Sequence, residues 1–193
     1  MEINQRIARR LRDLRAERDL SLAELAERSG VSRSNISLIE RGESSPTATV
    51  LNKLSAALGV TVAALFEAAE QAPSPLARRQ DQLEWTDPGS GYVRRNLSPA
   101  TPSPLQLVEV DFPPGARVAY ETGAREVDVH QQVWIMAGAM ELTVGDTRWT
   151  LNAGDCLAMR LDQPIVFHNP GPAAARYVVA LSAPSARASR REA

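Results

Sequence analysis

The chain has 193 residues, 44% hydrophobic and 23% charged, a balance that supports a packed globular core and excludes a wholly disordered chain. Its 22 basic residues nearly cancel its 23 acidic ones, so contact with nucleic acid has to come from a local patch rather than from net charge. Cys156 is the only cysteine, which excludes an intrachain disulfide and a thiolate metal cluster; it reads as a small buried hydrophobe in a strand. The opening residues alternate charge with apolar side chains, unlike a signal peptide, and no apolar run approaches the ~20 residues of a spanning helix. A cytoplasmic protein without a membrane partner is expected.

Residues 1–69 carry a helical period. Ile7, Leu11 and Leu14 recur at i, i+4 and i+7 in a first helix that also carries Arg6, Arg9, Arg10, Arg12, Arg15 and Arg18 against only Asp13 and Glu17. Such a run suits a solvated face or a phosphate-binding one. Ser21 and Glu24 have capping-box spacing and open a second helix, which Gly30 closes. Ser32 caps a third helix, about residues 33–41, whose Ile36 and Ile39 face inward. Thr47 or Thr49 begins a fourth with Val50, Leu51, Leu54 and Leu58 on its inner side, and a fifth is expected over residues 62–67.

Residues 70–84, with prolines at 73 and 75, read as a linker. From Trp85 to residue 183 the pattern becomes short alternating stretches separated by turn signals at 113–115, 145–146, 152–155 and 169–172, the signature of an all-β sandwich or barrel. Residues 184–193 read as a flexible tail.

Two short helices joined at a glycine make a helix-turn-helix, whose second helix can enter the DNA major groove. With Ile36 and Ile39 as anchors, Arg33, Ser34, Ser37 and Leu38 are left toward a groove. Arg33 suits guanine O6 and N7, while Ser34 and Asn35 can meet bases or phosphates. The stretch "SLAELAERSGVSRSNISLIERGESSPTATVLNKLSAALGV", residues 21–60, resembles the Cro/C1-type (XRE) helix-turn-helix family. The resemblance implies a five-helix, lambda-repressor-like domain. It puts Ser32, Arg33, Ser34, Ser37 and Leu38 on the base-reading side, with Arg41 and Ser44 beside the phosphate backbone. Leu22 and Ala23 stand where the family often has Gln, and Arg9 or Arg10 is expected to supply the phosphate contact instead.

The second half, about residues 104–182, resembles a small cupin, a double-stranded β-helix or jelly-roll barrel, through "PPGARVAY", "VWIMAGAMELTVGD", "TLNAGDCLAM" and "PIVFHNPG". Metal-binding cupins use a His-x-His pair, a Glu and a later His. Here the Glu position falls on Gln131 and the later His on Ile165; the pair falls among residues 124–127 or at Glu121 and Gly123, depending on the glycine used as anchor. None of these is histidine, so no metal and no other cofactor is expected. His130 and His168 with Glu121, Glu126 or Asp128 leave a two-His-one-carboxylate site as the arithmetic alternative.

An amide at Gln131 keeps hydrogen bonding without charge and suits a neutral or anionic organic ligand. Tyr120, Arg125, His130 and Ile165 join it as expected ligand contacts; Tyr120, Trp134, Met136 and Trp149 read equally as core or as pocket lining. The expectation is an α + β multidomain chain: a non-enzymatic transcriptional regulator, a repressor, that binds double-stranded palindromic DNA as a homodimer and senses a small effector in its barrel. The alternative is a metal-dependent cupin enzyme with a DNA-binding-like head.

Overall fold

The computed structural model describes residues 3–66, 74–101, 103–121 and 129–182. Four α-helices come first, α1 (Ile3–Ala16), α2 (Leu22–Ser29), α3 (Arg33–Glu40) and α4 (Ala48–Ala57). Their starts follow the hydroxyl signals. Ser21 accepts the Glu24 amide while the Glu24 carboxylate accepts the Ser21 amide, Ser32 accepts the Asn35 amide at 3.3 Å, and Thr47 rather than Thr49 caps α4. Gly30, at φ 65°, ends α2 in the left-handed region and turns the chain toward α3. Ile7, Leu11, Leu25, Ile36, Leu51 and Leu54 are fully buried between the helices.

The expected fifth helix is a 3₁₀ helix at Val62–Phe66. The Ala64 amide donates to the Thr61 carbonyl three residues back, and Ala63, Leu65 and Phe66 are all buried, a tighter turn than an α-helix allows. Residues 67–69 lie outside the described residues.

The arginine run of α1 is mostly engaged inside the head. Arg10 donates to the Ala64 carbonyl and pairs with Glu17, Arg12 donates to the Glu40 carbonyl, and Arg18 donates to the Leu14 carbonyl. Arg15 forms a two-point pair with Glu40, Nε to Oε1 at 2.7 Å and Nη2 to Oε2 at 2.8 Å, and its Nη1 donates to the Leu20 carbonyl. These guanidinium groups satisfy carbonyls at helix ends that have no intrahelical donor, and they fasten α3 to α1.

The rest is antiparallel β structure: β1 (Glu84–Thr86), β2 (Val93–Asn96), β3 (Leu105–Phe112), β4 (Arg117–Tyr120), β5 (His130–Ala137), β6 (Ala139–Val144), β7 (Thr147–Asn152), β8 (Cys156–Arg160), β9 (Ile165–His168) and β10 (Ala175–Ser182). They form a six-stranded sheet, β1-β2-β3-β10-β5-β8, and a four-stranded sheet, β4-β9-β6-β7. Alternation puts Val133 and Ile135 of β5, Tyr177 and Val179 of β10, and Phe167 of β9 into the shared interior. At the β5–β6 turn Gly138 has φ 77°, and a Cβ there would stand 2.9 Å from the Ala175 Cα, so only glycine lets this turn lie so close against the start of β10. Cys156 corrects the sequence expectation: it is exposed, because it lies on the outward face of its sheet, across from the exposed Trp134.

Head and barrel share one hydrophobic core. Phe66 meets Trp85 edge-on at 5.8 Å, and the aromatic series continues through Tyr92, Phe112, Tyr177 and Phe167 to Tyr120. Residues 74–83 are not a free tether along their whole length. They include a 3₁₀ turn at Arg79–Asp81, and the Leu83 carbonyl accepts the Asn96 amide.

Candidate functional site

Two places have the chemistry to recognise another molecule. The first is the outer side of α3. With Ile36 and Ile39 buried, Ser32, Arg33, Ser34 and Leu38 are exposed at its start and outer face, Asn35 and Ser37 are half-buried, and Ser44 is half-buried in the following loop. Arg33 projects from the first position of the helix, next to Ser34, whose hydroxyl lies 3.2 Å from that of Ser32. Arg41 is exposed but held: its Nε and Nη2 meet the Glu43 carboxylate at 2.7 and 2.8 Å, and its Nη1 donates to the Ser37 hydroxyl. The hydrogen bond raises the arginine and lowers the carboxylate from their ordinary pKa values. Arg10 stands apart from this face, with both of its contacts inside the bundle.

The second place is a cavity of about 90 Å³. Of the residues expected there, Gln131, Tyr120 and Ile165 line it. His130 does not, for the reason that successive strand residues face opposite ways; Gln131 is buried and His130 exposed. Arg125 lies outside the described residues. The sequence reading missed Tyr92, Arg94 and Tyr177 in the wall, and it missed Asn52, Thr61 and Val62, which reach the cavity from the helical head. An arginine at an inward position of "YVRRN" was the available signal, since Tyr92 and Arg94 fall on one face of a strand.

Arg94 is 8% exposed, its carbon Cζ sits 4.9 Å from the centre of the Phe66 ring, and Nε donates to Asn96 at 3.4 Å. Its Nη2 is buried without a hydrogen-bond partner. Burial lowers its pKa, partly opposed by the neighbouring phenols, and no carboxylate acts on it among the described residues. Tyr92 and Tyr120 place their hydroxyls 3.3 Å apart. Burial pushes the phenols of Tyr92, Tyr120 and Tyr177 above their ordinary value, so all three are neutral donors. A metal of the cupin type does not fit this wall, which offers a guanidinium, phenols and an amide where a cation needs imidazole or carboxylate. Among the described residues no three His, Cys, Asp or Glu converge; His168 instead lies 3.2 Å from Glu141.

The two places are joined by α4. Its first amide, Ala48, donates at 2.9 Å to Asp87 Oδ1 of the barrel half, while Asp87 Oδ2 accepts the Ser90 amide and hydroxyl. A carboxylate at a helix N-terminus satisfies an orphan donor and opposes the helix dipole. Farther along, the Thr49 hydroxyl donates to the Ala119 carbonyl, Asn52 to the Glu121 carbonyl, and Lys53 pairs with Glu121 at 3.2 Å. Asp87→Ala is expected to cost about 1–3 kcal/mol, because three buried or half-buried donors lose their acceptor. Hydrogen exchange of the Ala48 amide should accelerate about 10- to 100-fold; unchanged exchange there would show that Asp87 does not hold the helix.

Residues 11–65 match the family HTH_3, helix-turn-helix. The chain is 29% identical over 161 residues to the HTH-type transcriptional regulator SutR of Escherichia coli (strain K12), covering 83% of this chain and 85% of the relative. It is 27% identical over 176 residues to the HTH-type transcriptional regulator PuuR of the same organism, covering 89% and 92%. A solved HTH_3 family transcriptional regulator from Vibrio cholerae superposes with a TM-score of 0.74 at 23% identity, over 93% of this chain and 96% of that one, so the fold is shared across both halves. The chain thus joins a head matched by the helix-turn-helix family to an antiparallel β half, and the relatives it resembles along most of their length are HTH-type transcriptional regulators.

Proposed function

We propose that this protein is a one-component repressor whose α3 reads operator DNA and whose cavity holds a small effector. Residues 1–69 are the DNA-binding unit and 85–183 the sensing unit of a cytoplasmic, non-enzymatic homodimer. One observation carries the reading: α4 packs within the helix-turn-helix bundle and also supplies Asn52 to the cavity wall. A ligand in the cavity therefore touches the element beside α2 and α3, and it biases DNA binding to the extent that it prefers one placement of the head.

One recognition helix covers a half-site, so a symmetric operator with half-sites about 34 Å apart needs two copies. Support for the pairing surface comes from Trp134, Met136 and Trp149, each nearly half exposed, and from Cys156, which lies opposite Trp134 in the β5–β8 ladder. β7 and β8 are the edge strands of their sheets, and a second copy of the chain covers this apolar margin.

The test is selection of bound fragments from random DNA by the purified protein, followed by affinity measurements on the recovered site at fixed salt. A two-fold symmetric site is expected. Arg33→Ala should cost about 1–3 kcal/mol on that site and relax discrimination at one base pair. Equal losses on specific and random DNA would make Arg33 a phosphate contact, and no enrichment of any site would refute the regulator.

A further inference from the structure

We propose that the cavity between head and barrel is a site for a short-chain organic monoanion, a carboxylate whose head group pairs with Arg94 and whose chain lies against Val108, Val110 and Ile165. The assignment rests on the effector reading above and names its chemistry. Arg94 is a permanent cation taken out of water, and its buried Nη2 lacks a partner. Leaving such a group unpaired is costly, whereas a bound carboxylate supplies both the missing charge and the missing acceptor. The Phe66 ring under the guanidinium offsets part of that cost but accepts no N–H in the plane of the fork.

The other polar groups in the wall can donate as well as accept. The Tyr92, Tyr120 and Tyr177 hydroxyls and the Gln131 amide surround the space, and Gln131 Nε2 has only a 4.0 Å contact to the Met159 sulfur. A cation would meet Arg94 with no counter-charge among the described lining residues. A phosphate dianion would bring a second charge that one guanidinium cannot compensate in an apolar enclosure. Most of the remaining wall is apolar, aliphatic side chains together with Phe167, which suits a short alkyl chain. Asn52, Thr61 and Val62 close the space from the head, so the occupied site spans both halves.

The full-length protein should be titrated calorimetrically with butyrate, its neutral isostere butyramide, butylamine and inorganic phosphate, with operator affinity measured at each saturation. Butyrate is expected to bind about 10- to 100-fold more tightly than butyramide, the worth of a charge-assisted hydrogen bond, with no response to butylamine. Arg94→Gln should erase the preference. Should that variant fail to fold, the butyrate–butyramide comparison on the unaltered protein decides alone. Equal binding of the two, preference for phosphate, or no binding of acetate through valerate at millimolar concentration overturns the assignment. If butyramide binds as well as butyrate and shifts operator affinity, the anion assignment fails while the effector reading stands. If butyrate binds selectively and operator affinity does not move, the site is upheld and the effector reading fails.

Discussion

Replacing Glu40 with alanine is expected to destabilise the helical head by about 3 kcal/mol, the cost of removing one partner of a buried ion pair. Glu40 looks from the sequence like an ordinary charge near the end of a recognition helix, yet its side chain is only 6% exposed and both its oxygens are held by Arg15. The pair raises the Arg15 pKa through the hydrogen bond to Glu40, against the opposing effect of burial. Removing the carboxylate leaves a mostly buried guanidinium uncompensated and frees the last turn of α3 from α1. Thermal unfolding should show a lower midpoint, and specific DNA affinity should fall although residue 40 faces away from the groove side. Glu40→Gln should recover little, because one of the two terminal atoms facing Arg15 becomes an NH2 donor and the negative charge is lost. An unchanged unfolding midpoint in Glu40→Ala would show that the pair is neutral to stability and that Ile36, Ile39 and the Arg12 bond to the Glu40 carbonyl suffice to hold α3.

Placing glutamate at both Trp134 and Trp149 is expected to dissociate the proposed dimer and weaken binding to its proposed operator by about 10²- to 10⁴-fold, the range gained when a second half-site is bound intramolecularly. Both indoles are about half exposed in the isolated chain, so the substitutions remove no core volume, and monomer stability should change little. Sedimentation should report monomers at concentrations where the unaltered protein pairs, and the loss should be confined to two-half-site DNA. If the double variant remains dimeric, the pairing surface lies elsewhere on the barrel. If it is monomeric and binds the full operator undiminished, pairing is not what gives the operator its affinity.

Local signals reported the helical head well. Ser21–Glu24 spacing, the Ser32 and Thr47 caps and the left-handed Gly30 act within one helical turn, so their chemistry is contained in a few adjacent residues. The exposed side of α3 followed in the same way from the 3.6-residue period, once Ile36 and Ile39 were set inward. The arginines of α1 were not legible. A guanidinium reaches far enough to choose among partners, and whether Arg10 and Arg12 meet phosphate or the carbonyls of Ala64 and Glu40 depends on which helix lies beside α1.

In the barrel, alternation within β5 separates Gln131 from His130, and only the inward residue reaches the cavity. Motif positions counted from glycines named Gln131 and Ile165 but could not name Arg94, which enters from β2, separated from β5 by two strands in the sheet order. Cys156 misled for a related reason. Its strand reads as apolar, but which face points inward depends on the sheet, and Cys156 falls on the outward one, across from the exposed Trp134.

By itself the sequence determined the type of each half: a helical period with caps at the right spacing for the head, a period of two with regular turns for the barrel, and on α3 a row of polar residues that have no place in a core. Those properties are carried by residues a few positions apart, where the chain's own geometry sets which side chains share a face. The tertiary structure alone decided that the halves share one core, that Asp87 caps a helix 39 residues earlier, and that Arg94 sits unpaired beside residues of α4. Such contacts depend on how two finished units dock, and docking is set by the summed shape and charge of whole surfaces, which no short stretch of either half contains.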